Sequence, residues 1–448
     1  HDDKPWDVMV HEMLSAEGHS SKNPAAGYYL RDRNMLLDNV SNTVQVFLGH
    51  QIGCAQCHDH PFDKWTQMEY YELAAFSGGV RWDSQEAREA VNKVVGMMKK
   101  KHPEMAKGTR SKDKRTAKRT RDSLYRRASN EVRYVFRDFR RNEIVENDKV
   151  ALKLPDDYQY EDAEPGETIA PATLFGSRIK DVKPEERRRA FADWLTAIEN
   201  PYFTKVIANR LWDRTFGHGL VDPVDNWSEN SKASHPEVLA YLEKVMKGVN
   251  YRVRDFERIL FHTSLFEQEC SPVEAVPGTE YAFVGPQLRR LNAEELYDSF
   301  TVLAFGDTDD NINTALAEKW ETHRRSVLGL LDSSPQQLIV AGKKANQAEE
   351  ERREYQSKSR ALGIEIRAAE KAGKTKQLAK LRTRQRDLRD DYNERRQMLM
   401  GGMDRYPGRA ARASLNMRAS EHPTPFRGDH LVRQFGGSDR NVPESAHT

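Results

Sequence analysis

The chain has 448 residues, 38% hydrophobic and 31% charged, and its 71 Lys and Arg nearly balance 69 Asp and Glu for a net charge of +2. That length allows two or three domains with cores of their own, and the balance gives no argument from net charge for a nucleic-acid or anionic partner. No run approaches the ~20 apolar residues needed to cross a bilayer, so no membrane span is expected.

The chain opens on "HDDKPWDV", without an initiator Met or a basic and apolar leader, so an export signal is expected to be removed or to lie outside these residues. From there to Val80 the pattern is helical. Trp6, Val8, Met9, Val10, Met13 and Leu14 share one apolar face, and Leu37, Val40, Val44, Phe47, Leu48 and Ile52 recur at helical spacing before Cys54. Between Lys93 and Arg141 there are 18 Lys or Arg against 5 Asp or Glu, with few large apolar residues in the first half. This composition predicts a basic, exposed and mobile insertion over 83–131. It carries neither interleaved aromatics nor a nucleic-acid motif, so no nucleic acid is expected as a partner.

Alternation at Val132, Tyr134 and Phe136 and again at Val150, Leu152 and Leu154 predicts short strands in a connecting region over 132–179, with a boundary near 155–180. Residues 180–305 then read as a second helical domain. Asn200 and Pro201 break two of its helices, and Asn292 is the expected cap of the last. After a connection over 306–344, apolar residues from Tyr355 to Leu399 recur at steps of three, four and seven around Gly373. That spacing predicts a helical hairpin over 345–400, a coiled-coil arm. The tail, 401–448, is rich in Arg, Gly and Pro and is expected to pack on the second domain.

Three cysteines cannot build a disulfide framework, and Cys270 stands alone. The other two lie in "GHQIGCAQCHDHPFDKWTQ", where Cys54, Cys57 and His58 form a C-x-x-C-H run. Covalent haem attachment accounts for each residue. Two thiols one turn apart can add to the two vinyl groups of a porphyrin, and the adjoining imidazole can reach the iron. A thioredoxin-like pair would ask for a strand before the motif, where a helix is expected. A zinc site could take Cys54, Cys57, His58 and His60, though no second ligand motif follows. A plain pair of buried thiols is the remaining alternative. On a helix His60 would point about 200° away from His58, which leaves His50, His19, Met68, Met97 and Met98 as candidates for the sixth iron position.

The residues around the motif resemble the planctomycete-type cytochrome c domain, where C-A-Q-C-H-x-H-P-F-x-x-W-T-Q is followed by Y-Y and L-A-A-F. "ADWLTAIENPYF", "NRLWDRTFGHGLVDPVDNW" and "SHPE" are similar to the C-terminal domain that accompanies it. The shared blocks cover 1–81, 132–305 and 415–448, leaving out 83–131 and 345–400, and the family pattern extends beyond both ends. The resemblance implies an exported bacterial protein with one covalent haem, often encoded with other haem and degradative proteins. Cys54 and Cys57 match the attachment thiols, and His58 the proximal ligand, the one metal ligand assigned. Asp59, His60, Asp63, Trp65 and Gln67 are candidates for the haem edge, among which His60 and Trp65 are placed with the cofactor-binding residues. Pro61, Phe62 and Trp65 also read as ordinary packing. In the second domain Asn209, Arg210, Asp222, Asp225, Ser234 and His235 are expected to converge, either on a pocket or in a structural network.

The expected fold is mainly α: a helical haem domain, a small β-containing connecting region, a second helical domain and a protruding hairpin. The expected function is that of an exported, periplasmic or cell-surface c-type cytochrome-like protein that transfers electrons with a redox partner or another haem protein. A haem enzyme acting on a small or carbohydrate-derived substrate is one alternative. The other is a scaffold whose hairpin recruits a protein partner around a structural haem or metal.

Overall fold

The computed structural model describes residues 3–32, 34–110, 112–132, 135, 142–176, 179, 182–273, 281–288, 290–306, 314–400, 418–422 and 430–434. It is mainly α. Among the described residues there are sixteen α-helices, from Trp6–Leu14 to Leu431–Gln434, and one small sheet of three strands. The strands lie in the order Gly18–His19, Glu143–Glu146, Val80–Asp83, the first pair antiparallel with Gly18 opposite Ile144. No helix among the described residues is long and apolar enough to cross a membrane.

The chain divides into two compact units. The first comprises 1–82, 143–299 and 424–448. One large buried cluster runs through it. Val44, Phe47 and Leu48 of the Leu36–Leu48 helix pack with Phe203, Val206 and Leu211 of the Phe203–Phe216 helix, and Phe76 stacks on Phe191 at 5.7 Å. The sequence places a boundary near 155–180, but the core is continuous across it. Leu154, Tyr158 and Ile169 are themselves buried in the cluster. Side-chain burial follows three-dimensional proximity, which a linear Pro and Gly signal cannot report.

Local signals placed several helix ends. Asn200 Oδ1 accepts from the backbone N–H groups of Tyr202 and Phe203 and so starts the next helix. Asn292 and Glu295 cap the Ala293–Phe305 helix reciprocally, Asn292 Oδ1 accepting at 2.7 Å and Glu295 Oε2 at 3.0 Å. Arg188, buried, donates to Glu146 Oε2 at 2.7 Å and Glu17 Oε2 at 2.9 Å and also to the Ala16 carbonyl, tying its helix to the sheet and to the turn after the first helix.

The second unit comprises 83–142 and 300–423. Where composition predicts an exposed insertion over 83–131, the described residues form the Gln85–Lys101, Pro103–Gly108 and Lys114–Glu131 helices. Ala87, Ala90, Val91, Val94 and Val95 are buried with Leu124, Ala128, Val327, Leu331 and Leu338. Small apolar residues at helical spacing are enough to make a seam while the Lys and Arg face outward. Of the strands expected over 132–179, Tyr134 and Phe136 lie outside the described residues. Val150, Leu152 and Leu154 form no named strand, only a bridge between Lys153 and Thr168 and its flanking hydrogen bonds.

Pro335–Lys371 and Thr375–Met400 form a hairpin around Gly373, which takes φ +64°; its first helix begins at Pro335, inside the stretch expected as a connection, and not at 345. Leu362, Ile366, Ala369, Leu378 and Leu381 form its seam, Tyr355 stacks on Tyr392 at 4.4 Å, and Arg382 pairs with Glu370 at 2.9 Å. Of the tail, Val432 is buried and His430 lies against the Tyr297 ring at 5.2 Å. Most of 401–448 lies outside the described residues.

Candidate functional site

The C-x-x-C-H motif follows the Leu36–Leu48 helix, which ends at Gly49 with φ +76°. A Cβ there would lie 3.0 Å from Val206 Cγ2 and 3.1 Å from Trp227 Cδ1, so both the left-handed backbone and the close approach require glycine. Gly49 O accepts from the Trp227 N–H at 2.7 Å, and the His50 ring Nδ1 meets the Trp227 carbonyl at 2.7 Å. The segment leading into the motif is thereby clamped to the Asp222–Trp227 loop.

Next comes a short 3₁₀ turn, Gly53–Gln56, anchored from below by Ile52 and Ala55, both buried. The N–H groups of Cys57 and His58 both reach Cys54 O, at 3.2 and 3.4 Å. Cys54 and Cys57 therefore stand three residues apart on one turn, and both thiols are free and exposed. His58 is exposed too, with Nδ1 2.7 Å from the Asp59 carbonyl. A carbonyl only accepts, so Nδ1 carries the proton and Nε2 keeps its lone pair.

Asp59 fixes the end of the turn. Its N–H donates to the Tyr160 hydroxyl at 2.6 Å, and its Oδ1 accepts from the Gln67 N–H at 2.8 Å. Gln67, buried, returns Nε2 to Gln56 O at 3.1 Å. Thr66 and Glu69 form a capping box for the Gln67–Ala74 helix, whose Tyr71 hydroxyl is held above its usual pKa chiefly by burial and then by the neighbouring Cys57 and Asp157. The backbone of His60 donates to Trp65 O at 2.8 Å, while His60 Nδ1 accepts from the Phe62 N–H at 3.2 Å. Phe62 is 89% exposed, Asp63 half-buried. Trp65 is buried with Lys64 Nζ 5.0 Å over its ring, and its Nε1–H has no partner.

The other candidates for an iron ligand lie in different settings. His50 is buried with its ring edge-on to Trp65 at 5.2 Å and to Tyr202 at 4.4 Å. Burial lowers its pKa. His19 is buried and accepts through Nδ1 from the Ser21 N–H at 3.1 Å. Met68 is half-buried against the core, and Met97 and Met98 belong to the second unit. Among the described residues no three His, Cys, Asp or Glu are grouped to hold a metal ion, so the zinc set of Cys54, Cys57, His58 and His60 is not assembled.

Of the second-domain residues expected to converge, most hold one loop. Asn209, fully buried, donates to Val221 O at 2.8 Å and accepts from its N–H at 3.0 Å. Ser234 N–H donates to Leu220 O at 2.8 Å and Oγ to the same oxygen at 3.2 Å. Asp225 accepts from Gln45 Nε2 at 3.2 Å, and Arg210 donates to Gln45 O at 3.1 Å. His235 turns to Tyr281 O at 3.1 Å instead, so no Ser234–His235 pair forms. These residues brace the 220–227 loop against the segment that leads into the motif. Sequence reasoning missed Trp227, Tyr160 and Tyr202, whose contacts with the motif region span more than a hundred residues and leave no local signal.

Residues 1–81 match the family described as PSCyt2, protein of unknown function (DUF1549), and residues 187–393 match PSD1, protein of unknown function (DUF1553). The chain thus carries the planctomycete cytochrome c-related domain and its C-terminal companion, in that order. The second match runs to 393 and takes in most of the hairpin, which the sequence reading had left outside the shared blocks. No curated protein and no solved structure matches the chain.

Proposed function

We propose that this chain is an exported c-type cytochrome-like protein in which Cys54 and Cys57 hold one haem through thioethers, His58 is the proximal ligand, and electrons pass to or from a redox partner. The observation that carries the reading is the pairing of two exposed thiols on one turn with a His58 ring whose Nδ1 is held by the Asp59 carbonyl, leaving Nε2 as a lone pair. A backbone carbonyl on the far ring nitrogen fixes the tautomer and orientation that a metal-bound histidine needs. Haem, once attached, supplies a one-electron couple.

The chain's own residues hold the turn. Ile52 and Ala55 seat it on the core, while Asp59, Tyr160 and Gln67 stop it unwinding. Trp65 Nε1–H is a buried donor able to meet a polar group of the cofactor. Placement outside the cytoplasm is supported by the family kinship.

The test is a pyridine haemochrome spectrum with an intact mass on purified protein. One haem per chain bound through two thioethers is expected, with Cys54→Ser and Cys57→Ser each reducing the links to one. A colourless native protein with two free thiols would end this reading.

A further inference from the structure

The Lys114–Glu131 helix carries seven Lys or Arg against two Asp or Glu. Its apolar residues serve the inside of the second unit: Ala117, Leu124 and Ala128 are buried, and Tyr125 packs on the same seam. At about 100° per residue, Lys114, Arg115, Lys118, Arg119, Arg121 and Arg126 fall within an arc of about 160° on the other side, and all six are exposed. From Lys114 to Arg126 the row is about 18 Å long.

This face is not neutralised from within. Lys114 and Lys118, and likewise Arg115 and Arg119, stand four residues apart, where like charges weaken a helix. Among the described residues none of the six makes an ion pair; Arg121 and Arg126 turn their Nε–H groups to the backbone carbonyls of Ala117 and Asp122, each at 3.4 Å. Asp122 lies four residues from both Lys118 and Arg126 and pairs with neither. The hairpin of the same unit is built the other way: Arg352 with Glu349, Lys358 with Glu354 and Arg395 with Asp391 close ion pairs three or four residues apart. Repulsion left standing on one face, in a chain that neutralises its cations elsewhere, marks a surface that meets an anion.

We infer that this face binds a linear acidic polysaccharide, its charge carried on sulfate or carboxylate groups. Four of the six cations are Arg, whose planar fork matches the paired oxygens of either group. Cations set in a row suit a ligand whose charges repeat along a line. A helix that lies in a bilayer surface needs an apolar stripe beside its cations, and here the exposed neighbours are Thr116, Asp122, Ser123 and Asn130. The same face has no aromatic ring on which a base could stack, and the choice of a saccharide over duplex DNA rests on the placement outside the cytoplasm proposed above.

Isothermal titration calorimetry on the full chain at about 0.15 M salt tests this, with heparin, alginate and neutral dextran as saccharide probes and duplex DNA and phosphatidylglycerol vesicles as the competing polyanions. Heparin or alginate is expected to bind most tightly, the better of the two showing whether sulfate or carboxylate is read, and dextran is expected not to bind. Two triple variants, Lys118→Gln with Arg119→Gln and Arg121→Gln, and Lys114→Gln with Arg115→Gln and Arg126→Gln, should each weaken binding by about tenfold with an unchanged far-ultraviolet circular dichroism spectrum. The same charge removed from the hairpin, by Lys380→Gln with Arg384→Gln and Arg386→Gln, should leave the affinity as it was. The inference is overturned by binding to neither acidic saccharide, by dextran binding equally well, by tighter binding of DNA or vesicles, or by an equal loss in the hairpin variant. Haem content measured on the same sample keeps the two readings apart: saccharide bound without haem removes only the haem reading, and haem without saccharide binding removes only this one.

Discussion

His50 and Asn209 differ in how their buried polar atoms are met, and so in what changing them does. His50 is held below its ordinary pKa of 6.5, first by burial, with the Trp227 carbonyl and Asp63 opposing. The unfolded chain therefore binds a proton that the folded chain resists, so stability is full above pH 6.5 and is lost as pH falls through the depressed folded value. Thermal unfolding of haem-free protein between pH 5 and 8 should show wild type weakening below pH 6.5, with a shallower slope in His50→Gln; parallel curves would show that His50 does not carry the effect. Asn209 is satisfied on both sides by Val221. Asn209→Ala leaves two buried backbone groups without partners, and denaturant unfolding should report a loss of about 2–3 kcal/mol. Neither difference was visible beforehand. Both residues were named as candidates, but the partner of His50 lies 177 positions away.

Elements were legible where periodicity was strong. The hairpin follows from leucines and tyrosines at helical spacing and from Gly373, because one seam buries them whatever else the chain does. The 83–131 segment was misread because composition was weighed by residue size. Alanine and valine pack well when backbones approach closely, and Gly342 allows that approach: a Cβ there would meet Glu131 O at 2.0 Å. Gly342→Ala would raise helix propensity on an isolated helix, yet here it should destabilise the second unit by about 1–3 kcal/mol, because a backbone carbonyl must shift. Hydrogen exchange over Gln85–Lys101 and Lys114–Glu131 should quicken in that variant, and unchanged protection would show that the close packing is not needed.

At the scale of the molecule, the first matched region and the 187–299 part of the second belong to one compact unit. Residues 1–82 and 143–299 lie in one compact unit, and Val44, Phe47, Leu48 and Trp65 share a core with Phe203, Val206, Leu211 and Trp227. A fragment ending at residue 82 would expose that face of the Leu36–Leu48 helix to water, at ~25 cal/mol for each Å² of apolar surface left uncovered. It should show no cooperative thermal transition; a sharp transition in the isolated fragment would show that the first region carries a sufficient core of its own.

The sequence alone determined the order and spacing of the motif's two thiols and imidazole, since Cys54, Cys57 and His58 are neighbours along the chain and their spacing is covalent fact. It determined the mainly helical fold for the same reason: helical periodicity is written within a few residues. Only the tertiary structure decided which histidines keep an Nε2 lone pair, that Asn209 and Ser234 brace a loop instead of serving a pocket, and that the first family region shares one core with the start of the second. Those outcomes depend on partners brought together across a hundred or more residues, and burial and hydrogen bonding act through space, where a linear pattern holds no record of them.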